Sequence, residues 1–313
     1  MPIAIIGAGL AGLSAARQLR EAGVASVIFE KSRGLGGRMS TRRVDHLQFD
    51  HGAQYFTAKG ARFRALVADW QTQGAAAPWG EGSFVGAPAM TSPARALGEG
   101  HHILTECQVS ALQRGPDGWR IETAAGPVGV EGNGHFDGVF LAIPAPQAQA
   151  LLASCALNLP GIEAVQYGPC IALMLAFDAP INLTADRMKL EDPVIRWIAR
   201  DSSKPGRPQG HTTLVVHAGP EWSRAHLEET PDSLADVLLT QFQNVTGNRA
   251  VPIYKSAHRW RYALVEQAVG TSCLFDAAAG IGACGDWCLG PRVEAAFDSG
   301  EALANAFLAS RST

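Results

Sequence analysis

Ile3-Ala4-Ile5-Ile6-Gly7-Ala8-Gly9-Leu10-Ala11-Gly12, running into Leu13-Ser14-Ala15-Ala16-Arg17-Gln18-Leu19 and then Val27-Ile28-Phe29-Glu30, is the stretch that decides the fold. Residues 3 to 6 are an apolar β run, Gly7 to Gly12 a glycine turn, and residues 12 to 22 set Leu13, Ala16 and Leu19 on one helical face. With residues 27 to 30 as the next strand, the first thirty residues make a βαβ unit, the entry to a doubly wound nucleotide-binding fold. The Gly7-x-Gly9-x-x-Gly12 spacing lets the chain turn tightly and brings backbone N–H groups close to a pyrophosphate, whose charge the helix dipole favours. Glu30, 18 residues beyond Gly12, stands where a carboxylate accepts hydrogen bonds from an adenosine ribose.

A length of 313 residues favours two interleaved domains, because single cores stop growing near ~250 to 300 residues. Hydrophobic residues make up 47% of the chain and charged ones 18%, enough apolar material for buried cores. A formal net charge of -3 gives no electrostatic footprint for a polynucleotide, so no nucleic-acid partner is expected. The six cysteines lack CxxC spacing and read as reduced thiols, with Cys284 and Cys288 as buried packing residues and no metal site. No apolar run reaches the ~18 residues that span a bilayer, and the N-terminus lacks a basic region followed by an apolar one, so a cytoplasmic protein without membrane partners is expected.

Further along, residues 105 to 113 and 118 to 124 read as a strand pair around the turn Gly115-Pro116-Asp117-Gly118, and Asp137 to Pro144 as a buried strand before a helix. From about 167 to 263 the pattern turns β-rich, with one helix over 231 to 244 capped by Thr230-Pro231. The end returns to the nucleotide fold, with a strand near 281 to 284, Gly285-Asp286, and a helix over 292 to 309. The predicted class is α/β: a discontinuous Rossmann-like domain (1–57, 94–160 and 264–313) with a second, β-rich α+β substrate domain (58–93 and 161–263).

NAD and FAD share the first fingerprint, and the residues after it separate them. Glu30-Lys31-Ser32-Arg33-Gly34-Leu35-Gly36-Gly37-Arg38-Met39-Ser40-Thr41 is similar to the extended glycine-rich motif of amine-oxidase-like flavoproteins, whose Gly-Gly-Arg turn lies along the flavin diphosphate and ribityl chain. Gly282-Ala283-Cys284-Gly285-Asp286 and Gly290-Pro291-Arg292-Val293-Glu294 resemble its C-terminal partner, where a helix N-terminus faces the flavin pyrimidine and favours the charge of the reduced ring. Phe49-Asp50-His51-Gly52-Ala53-Gln54-Tyr55-Phe56, Ile195-Arg196-Trp197, His217-Ala218-Gly219-Pro220-Glu221-Trp222 and His258-Arg259-Trp260-Arg261-Tyr262 narrow the resemblance to the renalase family, over essentially the whole chain.

That resemblance implies FAD held by Gly7, Gly9, Gly12, Glu30, Lys31, Gly36, Gly37, Arg38, Val109, Gly285, Asp286, Arg292 and Val293. It implies oxidation of the 2- and 6-dihydro isomers of NAD(P)H to NAD(P)+ by hydride transfer to flavin N5, with O2 reduced to hydrogen peroxide. A dihydropyridine expels hydride with its own nitrogen lone pair, so position outranks proton transfer and no catalytic base is needed. Gln54, Tyr55, Phe56, Arg196, Trp197, His217, Trp260 and Tyr262 are the candidate substrate contacts. Each aromatic has core packing as its alternative and His51 and His217 a structural role, while Arg196, Arg42 and Arg43 are candidates to hold a substrate phosphate, with ordinary surface charge the equal alternative. Lys204, in a Ser-Lys-Pro-Gly loop, is expected at a solvated tip. Two other readings stay open: a flavin amine oxidase, for which Lys255 is the lysine of the closing strand, and a flavoprotein that binds or senses without turnover.

Overall fold

The computed structural model describes residues 1–124, 126–127 and 134–311. The run that opens the sequence becomes strand Ile3–Ile6, flanked in a six-stranded sheet by Gly138–Leu141 on one side and Ser26–Phe29 on the other. His102–Leu104 extends the sheet beyond Ser26–Phe29, and Ile281–Ala283 beyond Gly138–Leu141. All these pairings are parallel; only the edge strand Leu274–Asp276 runs antiparallel, against Ile281–Ala283. Ile3, Ala4 and Ile5 are fully buried, as an unbroken apolar strand covered on both faces must be.

Helices Leu10–Glu21 and Val293–Ser310 cover one face and bind the two ends of the chain together. They cross so closely that a Cβ on Gly300 would lie 2.1 Å from the Ala11 carbonyl oxygen, and the Ser14 hydroxyl donates to the Phe297 carbonyl at 2.9 Å. Helix Ala61–Thr72 joins the same core through Phe63, Leu66, Val67 and Trp70, with Phe63 5.3 Å from Phe297. Thus part of the 58–93 segment, grouped above with the substrate domain, packs on the nucleotide-fold helices. The other face carries helix Ala145–Ser154 and a small antiparallel sheet of Val109–Gly115, Gly118–Thr123 and Gly126–Pro127. The first of these strands begins four residues later than the sequence reading placed it: residues 102–104 belong to the parallel sheet, and the Cys107 N–H is taken by the Glu30 carbonyl at 2.9 Å.

The second sheet is antiparallel, ordered Arg187–Lys189, Ile195–Arg200, Thr212–Ala218, Gln166–Phe177, Tyr254–Gln267. Alternation divides its faces. Ile171, Leu173, Leu175, Ile198, Leu214 and Val216 pack on helix Pro231–Thr246 through Leu234, Leu238 and Phe242. That helix starts as the sequence predicts, with the Thr230 hydroxyl accepting the Ser233 N–H and Pro231 in the first turn, and ends at Gly247. Each buried apolar side chain contributes about 1.5–3 kcal/mol and the cap about 1 kcal/mol, so packing against the sheet is the larger stabilisation. The intervening residues Met174, Ala176, Val215, Ala199 and Trp197 turn the other way, toward Leu47, Phe49 and the nucleotide-binding core. The Gly86 to Pro93 region holds the end of strand Phe84–Gly86 and the start of helix Ser92–Gly98, with Ala89 and Met90 buried. Among the described residues no helix is long and apolar enough to cross a membrane, and no group of three His, Cys, Asp or Glu side chains is arranged to hold a metal.

Candidate active site

The glycine turn is built for close approach. A Cβ on Gly12 would lie 2.0 Å from the Gly7 carbonyl oxygen, and one on Gly7 2.5 Å from that of Ala142, so both positions must be bare. A Cβ on Gly9 meets nothing within 4 Å, which leaves open space beside the helix N-terminus, where a diphosphate needs it. Glu30 is buried, one carboxylate oxygen accepting the Ala8 N–H and the other the Ser32 N–H, both at 2.8 Å. Each oxygen keeps a second lone pair for a ribose hydroxyl.

Gly36 and Gly37 adopt φ of +103° and +53° and fold back on this turn, the Gly36 N–H donating to the Ala8 carbonyl at 2.9 Å. That places Arg38 against Asp286 in a bidentate pair, Nη1 to Oδ2 at 2.9 Å and Nη2 to Oδ1 at 2.5 Å. Two motifs 248 residues apart in sequence are thereby joined side chain to side chain. Asp286 opens the short helix Asp286–Leu289, an element the sequence reading did not anticipate. Helix Val293–Ser310 begins at Arg292 with no side-chain acceptor on its first N–H groups. Glu294 is turned instead to the Lys59 and Gly60 N–H groups. An open turn at Gly9, an uncapped helix at Val293 and the Arg38–Asp286 pair between them fit an extended FAD. Lys31 and Arg292 are exposed, and Val109 is half-buried at the start of its strand.

The Gly52 turn lies over the second sheet. A Cβ there would sit 2.0 Å from the Arg38 carbonyl oxygen, which accepts the Ala53 N–H at 2.8 Å. Beneath it, register pairing sets Trp197, His217, Ala172 and His258 in one row across four strands, with Cys170 and Trp260 paired beside it. The His51 ring meets His258 edge-on at 4.8 Å and lies tilted 5.2 Å from Trp260, and its carbonyl accepts the Trp260 indole N–H at 3.0 Å. His217 Nε2 lies 3.3 Å from the His51 carbonyl and 3.4 Å from Gln54 Nε2; the first contact needs the protonated nitrogen and the second the bare one, so the tautomer selects between them. His51 Nδ1 and the Trp197 indole N–H are buried without a partner. Burial, reinforced for His51 by His258 and Arg42, pushes the imidazoles down, to about 3 at His51 and about 4 at His217 and His258. All three are neutral at physiological pH.

Phe56 and Arg196 lie elsewhere. Phe56 is buried among Phe63, Trp70 and Phe84, because alternation in the extended Gln54-Tyr55-Phe56 segment sends its ring inward and leaves Tyr55 exposed against Trp197. Arg196 points off the strand away from Trp197, half-exposed, 3.7 Å from Glu191. Tyr262 packs on Tyr167 at 5.4 Å. His258 and Ala172 escaped the sequence reading, although His258-x-Trp260-x-Tyr262 carries the period-two signal of one strand face.

Lys204 overturns its expectation: it is buried, not a solvated tip. Its ammonium bonds to Asp201 Oδ1 at 2.6 Å, Asp50 Oδ2 at 3.2 Å and Gln54 Oε1 at 3.3 Å, while Arg207 Nη2 donates to Asp50 at 2.5 Å. Two carboxylates and two cations, all inaccessible to water, make a neutral cluster beneath the His51 to Gln54 turn. Burial alone would raise Asp50, but Lys204, Arg207 and the Thr41 hydroxyl hold it at about 2; burial and the Asp50 charge push Asp201 up. Lys255 pairs with Asp236 on the helix side of the sheet, the face opposite His258. Cys284 and Cys288 are buried thiols, Cys288 pushed up to about 12 by desolvation.

Residues 5–70 match the NAD(P)-binding Rossmann-like domain, and residues 78–307 match the flavin containing amine oxidoreductase family. Over 52 residues, 17% of this chain, the sequence is 48% identical to a 4,4'-diapophytoene desaturase (4,4'-diaponeurosporene-forming) of Staphylococcus haemolyticus and 46% identical to one of Staphylococcus aureus; the match spans 10% of each of those proteins. The fold is similar to that of a protein assigned as a protoporphyrinogen oxidase from Exiguobacterium sp. 255-15, with a TM-score of 0.75 and 15% identity over 100% of this chain and 99% of that one. It is also similar to putrescine oxidase bound to putrescine, with a TM-score of 0.65 and 14% identity over 98% and 99% of the two chains. With the family match running through the second sheet and back to the C-terminal helix, the chain belongs to the flavin containing amine oxidoreductase family and is an FAD-dependent oxidoreductase.

Proposed function

We propose that this oxidoreductase is renalase-like and oxidises the 2- and 6-dihydro isomers of NAD(P)H to NAD(P)+. The observation that carries the reading is the row Trp197, His217, Ala172 and His258: three neutral rings and one alanine, without a carboxylate or amine among them. FAD, held by the Gly9 turn, Glu30 and the Arg38–Asp286 pair, would supply a two-electron acceptor for the donor's hydride, with O2 as the final acceptor giving hydrogen peroxide.

The chain's residues position the donor. Trp197 and the His51–Trp260–His258 aromatics wall the donor ring, and the Gln54 amide, held through Lys204, lies beside His217. Loss of hydride turns a neutral dihydropyridine into a pyridinium. Neutral imidazoles and aromatic faces do not repel that charge, and no residue has to take a proton.

The test is anaerobic mixing of the FAD-loaded protein with the dihydro isomers and, separately, with simple primary amines and putrescine, following bleaching of the oxidised flavin band. Rapid bleaching by the nucleotides alone is expected. Bleaching only by amines assigns an amine oxidase, and bleaching by neither a flavoprotein that does not turn over these donors.

A further inference from the structure

We propose that Arg187 is a phosphate-binding residue at the outer edge of the slot, recognising the pyrophosphate of a dinucleotide substrate; this rests on the function proposed above. Arg187 lies on the edge strand, paired with Ala199, two residues along the neighbouring strand from Trp197. Its guanidinium carbon is 5.1 Å from the Trp79 ring centre and 5.9 Å from that of Tyr55, and Nη1 donates to the Trp79 carbonyl at 2.9 Å. A Cβ on Gly80, whose φ is +80°, would fall 2.0 Å from Nη2, so the fork lies directly on bare backbone.

This guanidinium is fixed and has no carboxylate partner among the described residues. Its neighbour Asp186 is engaged by Arg200 at 2.7 Å, and Arg38, Arg207, Arg224 and Arg261 all have acidic partners. Nη1 to the Trp79 carbonyl is the one hydrogen bond the guanidinium makes among the described residues. An arginine set over two aromatic rings and without a carboxylate partner suits recognition of phosphate oxygens. Its position suits that ligand: the Tyr55 ring, 39% exposed, lies tilted 5.7 Å from Trp197, so Arg187 stands one ring beyond the slot, as a phosphate stands one ribose beyond a nicotinamide. Arg196, the arginine expected here from sequence, leaves the strand on the other side.

The experiment uses FAD-loaded wild type, Arg187→Gln and Arg187→Lys, with matched thermal melts to confirm folding. Two donors are compared in the anaerobic half-reaction: a dihydro isomer of NADH, and the same dihydronicotinamide as its riboside, which has no phosphate. Arg187→Gln is expected to raise the half-saturation concentration for the dinucleotide about 30-fold, to leave the limiting reduction rate within about twofold, and to leave the riboside unchanged, with Arg187→Lys intermediate. Equal effects on both donors, or none on either, overturn the proposal. Inorganic pyrophosphate binding, measured by calorimetry on the same proteins, separates this site from the reaction. If neither donor bleaches wild type but pyrophosphate binds wild type and not Arg187→Gln, the functional reading falls and the phosphate site stands. If pyrophosphate binds both equally or neither, the site falls.

Discussion

Replacing Lys204 by Met removes one of two cations from a cluster whose four charged side chains are at most 1% exposed, leaving two carboxylates against Arg207. Breaking a buried pair on one side costs about 3–5 kcal/mol, because the surviving charge is stranded. At about 2–4 °C per kcal/mol for a protein of this size or slightly smaller, the melting temperature falls by roughly 6–20 °C. Lys255→Ala, which loses only an exposed partner, costs less than ~1 kcal/mol. Charge arithmetic adds a sharper expectation: Lys204→Met combined with Asp201→Asn leaves Asp50 balanced by Arg207, so the double variant is more stable than Lys204→Met alone. In Lys204→Met the Asp201 carboxyl, already pushed up by burial and Asp50, titrates well above the unfolded value of 3.8. The folded chain then binds the extra proton, so the penalty grows as pH rises through the window above 3.8 and shrinks toward acid; Asp201→Asn abolishes that slope. Urea unfolding of the FAD-loaded proteins between pH 5 and 8 measures all of this. A Lys204→Met protein within 1 kcal/mol of wild type at pH 8, or a double variant weaker than the single, refutes the reasoning.

Gly9→Ala folds normally, since its Cβ meets nothing, yet binds FAD at least tenfold more weakly; Gly12→Ala, aimed at a backbone oxygen 2.0 Å away, loses stability with or without FAD. Melting curves of the apoproteins and FAD titration separate the two. Asp286→Asn takes the charged partner from Arg38, which is 30% exposed, so it costs only about 1 kcal/mol of stability while FAD dissociates faster in a fluorescence-release assay. His51, His217 and His258 stay neutral when folded and titrate near 6.5 when unfolded, so their contribution is fully present above about 6.5 and is lost as pH falls toward 4. The urea midpoint therefore declines across that window, and His51→Asn flattens the decline.

The nucleotide fold was legible because its signals are local: the apolar run at Ile3–Ile6, the glycine spacing and Glu30 lie within thirty residues, and Thr230-Pro231 marked a helix start within its own turn. The buried cluster of Asp50, Asp201, Lys204 and Arg207 was not, because its members meet only across the fold. Asp50 and Lys204 are 154 residues apart, and a Ser-Lys-Pro-Gly loop looks solvated until Asp201 and Asp50 are known to be buried beside it. Phe56 and Arg196 went astray for another reason: a motif delivers a segment to the site, but the backbone's alternation decides which side chains face it, and only Tyr55 and Trp197 do. Arg187 carried no signal at all, since its isolation from carboxylates depends on Arg200 having taken Asp186.

The central claim is that the two ends of the chain close on one FAD whose reactive edge looks onto the Trp197–His217–Ala172–His258 row. A crystal structure of the FAD-loaded protein measures this directly. The diphosphate is expected beside Gly9, the pyrimidine edge over the N-terminus of helix Val293–Ser310, and N5 facing Ala172 and His217. An isoalloxazine ring lying outside the space between the Arg38–Asp286 pair and that sheet face would contradict it.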